Sequence, residues 1–504
     1  MRKFLVLVTA TGMLVRGSLA LAGSEQASAS VNPRSARRFT LNQAIITALQ
    51  RNPDILRTKQ EIERTKGVVL EIGAQALPHV SPRSDLSWTD PKLGGSSFSS
   101  ATGGTDLTGG GTSGGVTGTG ISRTDTAYAI RITGTQLVFN YSTFRSIRGT
   151  FFQRDSAYFA FRNTVDQVIA TVKTQFYQVI LNRALITVQE ESVGLLESQL
   201  KDQQNRFEAG TVPRFNVLQA QVALSNQLPN LISARNNYRI SELQLSKTLG
   251  LDFDPLRGEG APLEVMGELT FVPRNIPLTQ AIELGKERRP FLKQARANVL
   301  NAIEQVHVAL GGFLPNFTSS GGYEIFSSPL STSWNDTSKG FVFGLTGNWA
   351  VWDSGETYGR VKQQRALLSE AKITYDDDVR QVELEVQQAY SNLQQNRELI
   401  QSTEKTVEQA QEAERLAKAR LDAGAGTQLD VLNSQVQLTT AQSTRLQALF
   451  GYNSALAEFD RVTGTQSTYT ESFDGIAPRG TRSRIYDTGS GTTATRKRRE
   501  NSSK

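Results

Sequence analysis

A mainly α-helical protein with a small β part, built from two copies of one helical-hairpin unit, is the fold class this sequence predicts. Three observations carry it. The chain aligns with itself. Two long stretches, about 144–207 and 356–421, carry helical periodicity with no proline. Short alternating segments interrupt each half at the same place. Composition narrows the function. The 504 residues include no Cys and only two His, at positions 79 and 307. That excludes a disulfide scaffold, a Cys-ligated metal site, a thiol nucleophile and acylation of an N-terminal Cys. It also leaves little for His-based catalysis. With 38% hydrophobic residues the chain is lean for a compact globule and suits an extended or water-filled architecture.

The net charge of +7 sits at the ends: +3 within residues 1–22, +4 within 470–504, and zero between. The body therefore has no basic surplus for nucleic acid. Arg496–Arg499 reads as part of a solvated tail in preference to a phosphate-binding run. Residues 1–22 read as a signal peptide, with Arg2 and Lys3, an apolar run Phe4–Val15 and a small-x-small cleavage site at Ala20–Ala22. No later stretch has eighteen consecutive apolar residues, so contact with a membrane has to come through strands.

Self-alignment sets the organisation. Residues 39–80 and 276–317 align at an offset of 237, pairing Pro53 with Pro290 and Leu77-Pro78 with Leu314-Pro315. A second block aligns at an offset of 214, pairing Ala209-Gly210 with Ala423-Gly424 and Gly250 with Gly464. The first half holds the longer insertion, a loop at 94–120 with 11 Gly and 11 Ser/Thr in 27 residues. The expected segments are a signal peptide 1–22, a linker 23–38, a first repeat 39–250, an inter-repeat segment 251–275, a second repeat 276–465 and a basic tail 466–504. Each repeat reads as a helix (41–75; 278–312), a strand pair, the long helix, a Gly-containing turn and a last helix (214–249; 428–463).

The long helices would each extend ~96 Å at ~1.5 Å per residue. Their narrow apolar stripes, such as Val165, Val168, Val172 and Phe176, suit coiled-coil packing. Each pair of shorter helices, stacked end to end, matches one long helix in length. The strand segments alternate: Phe341, Phe343 and Leu345 against Gly344 and Thr346, and Tyr128, Ile130 and Ile132 against Ala129, Arg131 and Thr133. Such alternation fits a half-buried soluble sheet or a transmembrane barrel, and the signal peptide favours the barrel. Pro82 and Arg83 are unusual there and suggest a ragged strand start or an edge position. Four strands cannot close a barrel, because about eight are needed, so a membrane role requires several chains.

Several motifs resemble the TolC family of bacterial outer-membrane efflux channels. Phe39-Thr40-Leu41-Asn42-Gln43-Ala44 through Asn52-Pro53 resembles that family's first helix. Leu77-Pro78 resembles its helix-to-barrel junction, and Phe139-Asn140 and Trp352-Asp353-Ser354-Gly355 its return. The most specific stretch is Ala419–Gln435, with its repeat partner Arg206–Gln221. The resemblance implies a homotrimer. Its 12-stranded transmembrane β-barrel would sit in the outer membrane of a Gram-negative-type bacterium, continued by a periplasmic α-helical barrel. It implies the exit duct of a tripartite multidrug efflux pump or type I secretion system, without cofactor, metal or catalysis. Its partners would be itself, outer-membrane lipid, a periplasmic adaptor (membrane fusion) protein and, indirectly, an inner-membrane transporter.

The resemblance also assigns residues. The adaptor-docking tip would comprise Arg206, Gly210, Thr211, Arg420, Gly424, Ala425, Gly426 and Thr427. The periplasmic aperture would comprise Asp430, with Asn433 one turn on and Asn216 at the equivalent place in the first repeat. That is one acidic ring, which attracts cations. Pro78, Pro315, Phe139 and Trp352 would mark the helix–barrel junctions. On the residues alone, the glycines are plain helix C-caps and Asp430 is a first-turn acid favoured by the helix dipole. The rival reading is an exported periplasmic coiled-coil scaffold or adaptor without a pore, which leaves the strand pairs unexplained. No nucleophile–base–acid set is evident, so no enzyme is expected.

Overall fold

The computed structural model describes residues 37–88, 126–252, 263–327 and 337–466. The expected signal peptide, nearly all of the 23–38 linker, the 94–120 loop and all of the tail but Gln466 lie outside the described residues. The first half runs β1 (Arg37–Phe39), α1 (Leu41–Arg51), α2 (Pro53–Ala74), β2 (His79–Trp88), β3 (Thr126–Phe139), α3 (Tyr141–Glu208) and α4 (Arg214–Leu249). The second runs β4 (Leu263–Val265), α5 (Leu278–Arg288), α6 (Pro290–Leu310), β5 (Asn316–Ser327), β6 (Thr337–Asn348), α7 (Glu356–Asp422) and α8 (Gln428–Val462). Matching helices have nearly equal lengths: 68 and 67 residues for α3 and α7, 36 and 35 for α4 and α8. At ~1.5 Å per residue, α3 and α7 are each ~100 Å long.

The helix expected at 41–75 is in fact two helices, and so is the one expected at 278–312. A proline ring holds the residue before it out of the helical region. Asn52 (φ −60°, ψ 127°) precedes Pro53, and Arg289 (φ −63°, ψ 123°) precedes Pro290. Each proline then opens a new helix at the position where its missing N–H has no role. Asn52 caps the new helix, its Oδ1 accepting from the N–H of Asp54 at 2.9 Å.

The same break seats the end of α4. Asn52 Nδ2 donates to the Thr248 carbonyl at 2.8 Å. Gly250, at φ +65°, lies so close that a Cβ there would stand 2.5 Å from the Arg51 carbonyl oxygen. In the second half the end of α8 meets α5, with Gly285 against Val462. The short helices therefore abut end to end beside the long ones.

The apolar stripes face inward. Phe161, Val165, Val172 and Phe176 of α3 are buried against Ile45, Ile55, Leu245 and Leu249. Val382, Val386 and Leu393 of α7 are buried against Leu292, Tyr452 and Phe459. Two strands were not expected: β1 and β4 pair in parallel, Arg37 with Leu263 and Phe39 with Val265. They close the first core with Phe39, Leu263 and Val265. The other four strands form a separate antiparallel sheet in the order β2-β3-β5-β6. Among the described residues no helix is long and apolar enough to cross a membrane.

Candidate functional site

The two hairpin turns are built alike on one side and differently on the other. Gly210 and Gly424 both sit at φ +71°, a left-handed conformation that glycine adopts without strain. The Thr211 N–H donates to the Arg206 carbonyl at 2.9 Å, and the Ala425 N–H to the Arg420 carbonyl at 2.9 Å. These are Schellman caps closing α3 and α7. A Cβ on Gly426 would stand 3.0 Å from Arg420 Cβ, a tight contact, although the equivalent position of the first turn holds Val212.

The starts of the following helices differ. Thr427 Oγ1 accepts from the Asp430 N–H at 3.2 Å, and Asp430 Oδ2 accepts from the Thr427 N–H at 3.0 Å. This is a capping box. The Asp430 carboxyl is held below the usual carboxylate range, first by the Thr427 hydroxyl, then by the Thr427 N–H and the charge of Arg420. In the first turn Pro213 opens α4 with no side-chain cap. Asn433 is exposed and Asn216 half-buried.

Both turns lie at one end of the molecule, because α3 lies along α8. Gln203 Nε2 donates to Gln428 Oε1 at 3.3 Å, and Gln199 Nε2 to Gln435 Oε1 at 3.0 Å. Glutamine side chains look like solvated surface in sequence; Gln428 and Gln435 fall within the Ala419–Gln435 stretch, but nothing there marks them for burial, and Gln199 and Gln203 lie outside it. Only the approach of α3 to α8 brings them together.

The junction residues stand at the other end, beside the four-stranded sheet. Leu77-Pro78 and Leu314-Pro315 lead from α2 and α6 into β2 and β5. Phe139 ends β3 and its ring lies 6.5 Å from that of Phe144. Trp352 is 87% exposed, and Trp349 Nε1 donates to the Phe313 carbonyl at 3.0 Å. Asp353 then starts α7 by accepting from the Thr357 N–H at 2.8 Å. Sequence reasoning passed over Gly311 and Gly312, which bring the end of α6 against Ser142 and Thr357, the starts of both long helices.

The sheet has two unlike faces. Register pairs Ile132 with Tyr323 and Tyr323 with Phe341, and Ile130 with Ile325, so these apolar residues share one side. Phe341, Phe343 and Leu345 there are 75%, 79% and 68% exposed. The other side carries Ser81, Thr133 and Gly322 in one row and Arg83, Arg131 and Glu324 in the next. The strands are 10 to 14 residues long; a tilted membrane strand needs about 9–11. The outer edges of β2 and β6 have no partner strand among the described residues.

Long paired helices, glycine turns at one end and an apolar-faced sheet at the other define a channel-type membrane protein fold. Residues 44–251 and 281–465 match the outer membrane efflux protein family, and the chain belongs to that family. It is 24% identical over 345 residues to the outer membrane protein TolC of Escherichia coli K12, covering 66% of this chain and 68% of that one. It is also 24% identical over 310 residues to nodulation protein T of Rhizobium leguminosarum bv. trifolii, covering 58% of this chain. That match takes in 61% of nodulation protein T, under two thirds of its length. The CmeC outer membrane channel of Campylobacter jejuni shares the fold, with a TM-score of 0.71, 15% identity and coverage of 87% and 90% of the two chains.

Proposed function

We propose that this protein is an outer-membrane channel-tunnel, the exit duct of a tripartite multidrug efflux pump or type I secretion system. The observation that carries this is the four-stranded sheet: apolar on one face, polar on the other, open at both edges and set at the end of helices ~100 Å long. An apolar face of that size suits lipid. Open edges do not survive in lipid, and four strands are too few to close on themselves. Three copies supply twelve strands and remove every edge. The matched order and lengths of the two halves support a tandem duplication, which gives each copy two similar hairpins. A pore-free coiled-coil scaffold offers no reason for the exposed aromatic face.

In this reading the turns around Gly210 and Gly424 form the periplasmic tip, where an adaptor docks against Arg206, Thr211, Arg420, Ala425, Gly426 and Thr427. Asp430, with Asn433 and Asn216, lines the aperture just inside it. The duct is passive, and energy comes from the inner-membrane transporter reached through the adaptor. The test is electron microscopy of detergent-extracted protein together with conductance in planar bilayers. The expected result is a threefold tube with a helical shaft on the order of 100 Å and discrete channel openings. A soluble rod or monomer without conductance would overturn the reading.

A further inference from the structure

One row of the sheet's polar face is charged in an unusual order. Register sets Arg83 opposite Arg131, and Arg131 opposite Glu324, with Gly340 next on β6. Two arginines thus stand side by side on neighbouring strands, an arrangement that is destabilising unless countered. The counter-charges flank them. Arg83 Nε lies 3.0 Å from Asp85 Oδ1, and Arg131 Nε lies 3.7 Å from Glu324 Oε1. A ladder built only for stability would alternate signs across the strands. This one places like charges together and acids outside.

The arginines also stand proud of their acids. The side chains of Arg83 and Arg131 are 53% and 45% exposed, those of Asp85 and Glu324 38% and 27%. Both ion pairs engage Nε, and about half of each arginine side chain stays exposed. Gly340 completes the row without a side chain, and a Cβ there would meet nothing within 4 Å, so β6 adds no bulk beside Glu324. A guanidinium fork matches the geometry of carboxylate, phosphate and sulfonate groups.

We propose that Arg83 and Arg131 form an anion-contacting row inside the barrel. In the trimer three such rows make a ring that receives the acidic groups of passing solutes, while Asp85 and Glu324 hold the arginines in place. This rests on the channel reading above. It places two arginines, each balanced by an acid, at the barrel end, away from Asp430 at the tip.

The experiment is single-channel recording of the assembled full chain across a potassium chloride gradient. Replacing both Arg83→Gln and Arg131→Gln lowers the anion-to-cation permeability ratio by about twofold or more, and Glu324→Gln raises it. Millimolar inorganic phosphate reduces the wild-type current more than that of the double variant. A double variant that conducts with unchanged selectivity and unchanged phosphate sensitivity refutes the proposal. Wild-type protein that never conducts refutes the channel reading instead.

A single-cysteine pair covers the case in which the double variant fails to assemble. The chain has no native Cys, so Arg131→Cys and Ile132→Cys each carry one thiol. A negatively charged methanethiosulfonate alters conductance through position 131 and leaves position 132 silent. The reverse pattern, or no effect at either position, places the row outside the conducting path and overturns it.

Discussion

The carboxylate of Asp430 is occupied by its own turn, and this governs how a substitution there reads. Asn at 430 keeps an oxygen for the Thr427 N–H while removing the charge. Thr427→Ala removes the cap, at a cost of about 1 kcal/mol, while keeping the charge. If Asp430 lines an aperture, Asp430→Asn lowers cation preference in bilayer recordings and Thr427→Ala leaves it alone. Equal reversal potentials for wild type and Asp430→Asn would make Asp430 a cap and nothing more. Asp166 is the opposite case. It is 7% exposed on α3, and burial pushes its carboxyl up to about 6 against the pull of Arg162, Arg461, Arg289 and Lys293. A raised carboxyl binds a proton in the folded state that the unfolded chain has already released. Its contribution to stability is therefore full below about pH 4 and lost as pH rises through about 6. Asp166→Asn should raise the unfolding temperature at pH 7.5, by the equivalent of up to ~3 kcal/mol, with the gain falling to about a third of that near pH 4.5 and vanishing below about pH 4. An equal gain at both pH values would contradict this.

At the scale of elements, close contacts decide which glycines matter. Gly311 has ordinary helical angles (φ −62°), so its role is space alone. A Cβ there would stand 2.1 Å from Ser142 Oγ and 2.8 Å from the Ser142 nitrogen. Gly311→Ala should destabilise by about 1–3 kcal/mol through overpacking. Gly67→Ala, on exposed α2 with nothing within 4 Å, should stabilise by about 0.5–1 kcal/mol. Thermal unfolding of the two variants checks the contrast, and shifts of the same sign would contradict it. Elements were also where the sequence was most readable. The long helices could be placed within three residues because their stripes run without interruption. The breaks at Asn52 and Arg289 were written in Pro53 and Pro290, but those prolines read as marks of repetition and their effect on the backbone was passed over. Three-residue strands such as β1 and β4 are too short to show alternation. Arg83 drew notice as an oddity in a strand. Its partners Arg131 and Glu324 come from other strands, and only register unites them.

For the whole molecule, the two halves supply one pattern twice: a short helix pair, two strands, a ~100 Å helix and a return helix. The turns gather at one end through the contact of α3 with α8, and the strands gather at the other. Within each half that polarity follows from sequence order, since each long helix starts at a strand and stops at a glycine turn; the α3–α8 contact aligns the two halves. The tip chemistry was less legible. Gly210 and Gly424 announce turns of equal shape, but the proline before the first return helix leaves it without a side-chain cap, whereas the threonine before the second gives it a capping box. Four glutamines near the turns gave no sign of their burial, even though Gln428 and Gln435 lie in the Ala419–Gln435 stretch, because that burial depends on the neighbouring hairpin.

The free margins of β2 and β6 also bear on how the protein is made. Among the described residues, no strand of the protomer itself pairs with either margin, which lies beside an aromatic surface that water does not favour. In the bilayer the peptide groups of such a margin have nothing to bond to; in the periplasm they invite pairing with any extended chain. A single copy thus has no comfortable resting state at its strand end, whereas its helices are satisfied in water. If three copies share one barrel, as proposed above, the helical shafts can come together first, and the strands enter the membrane once neighbouring copies have paired.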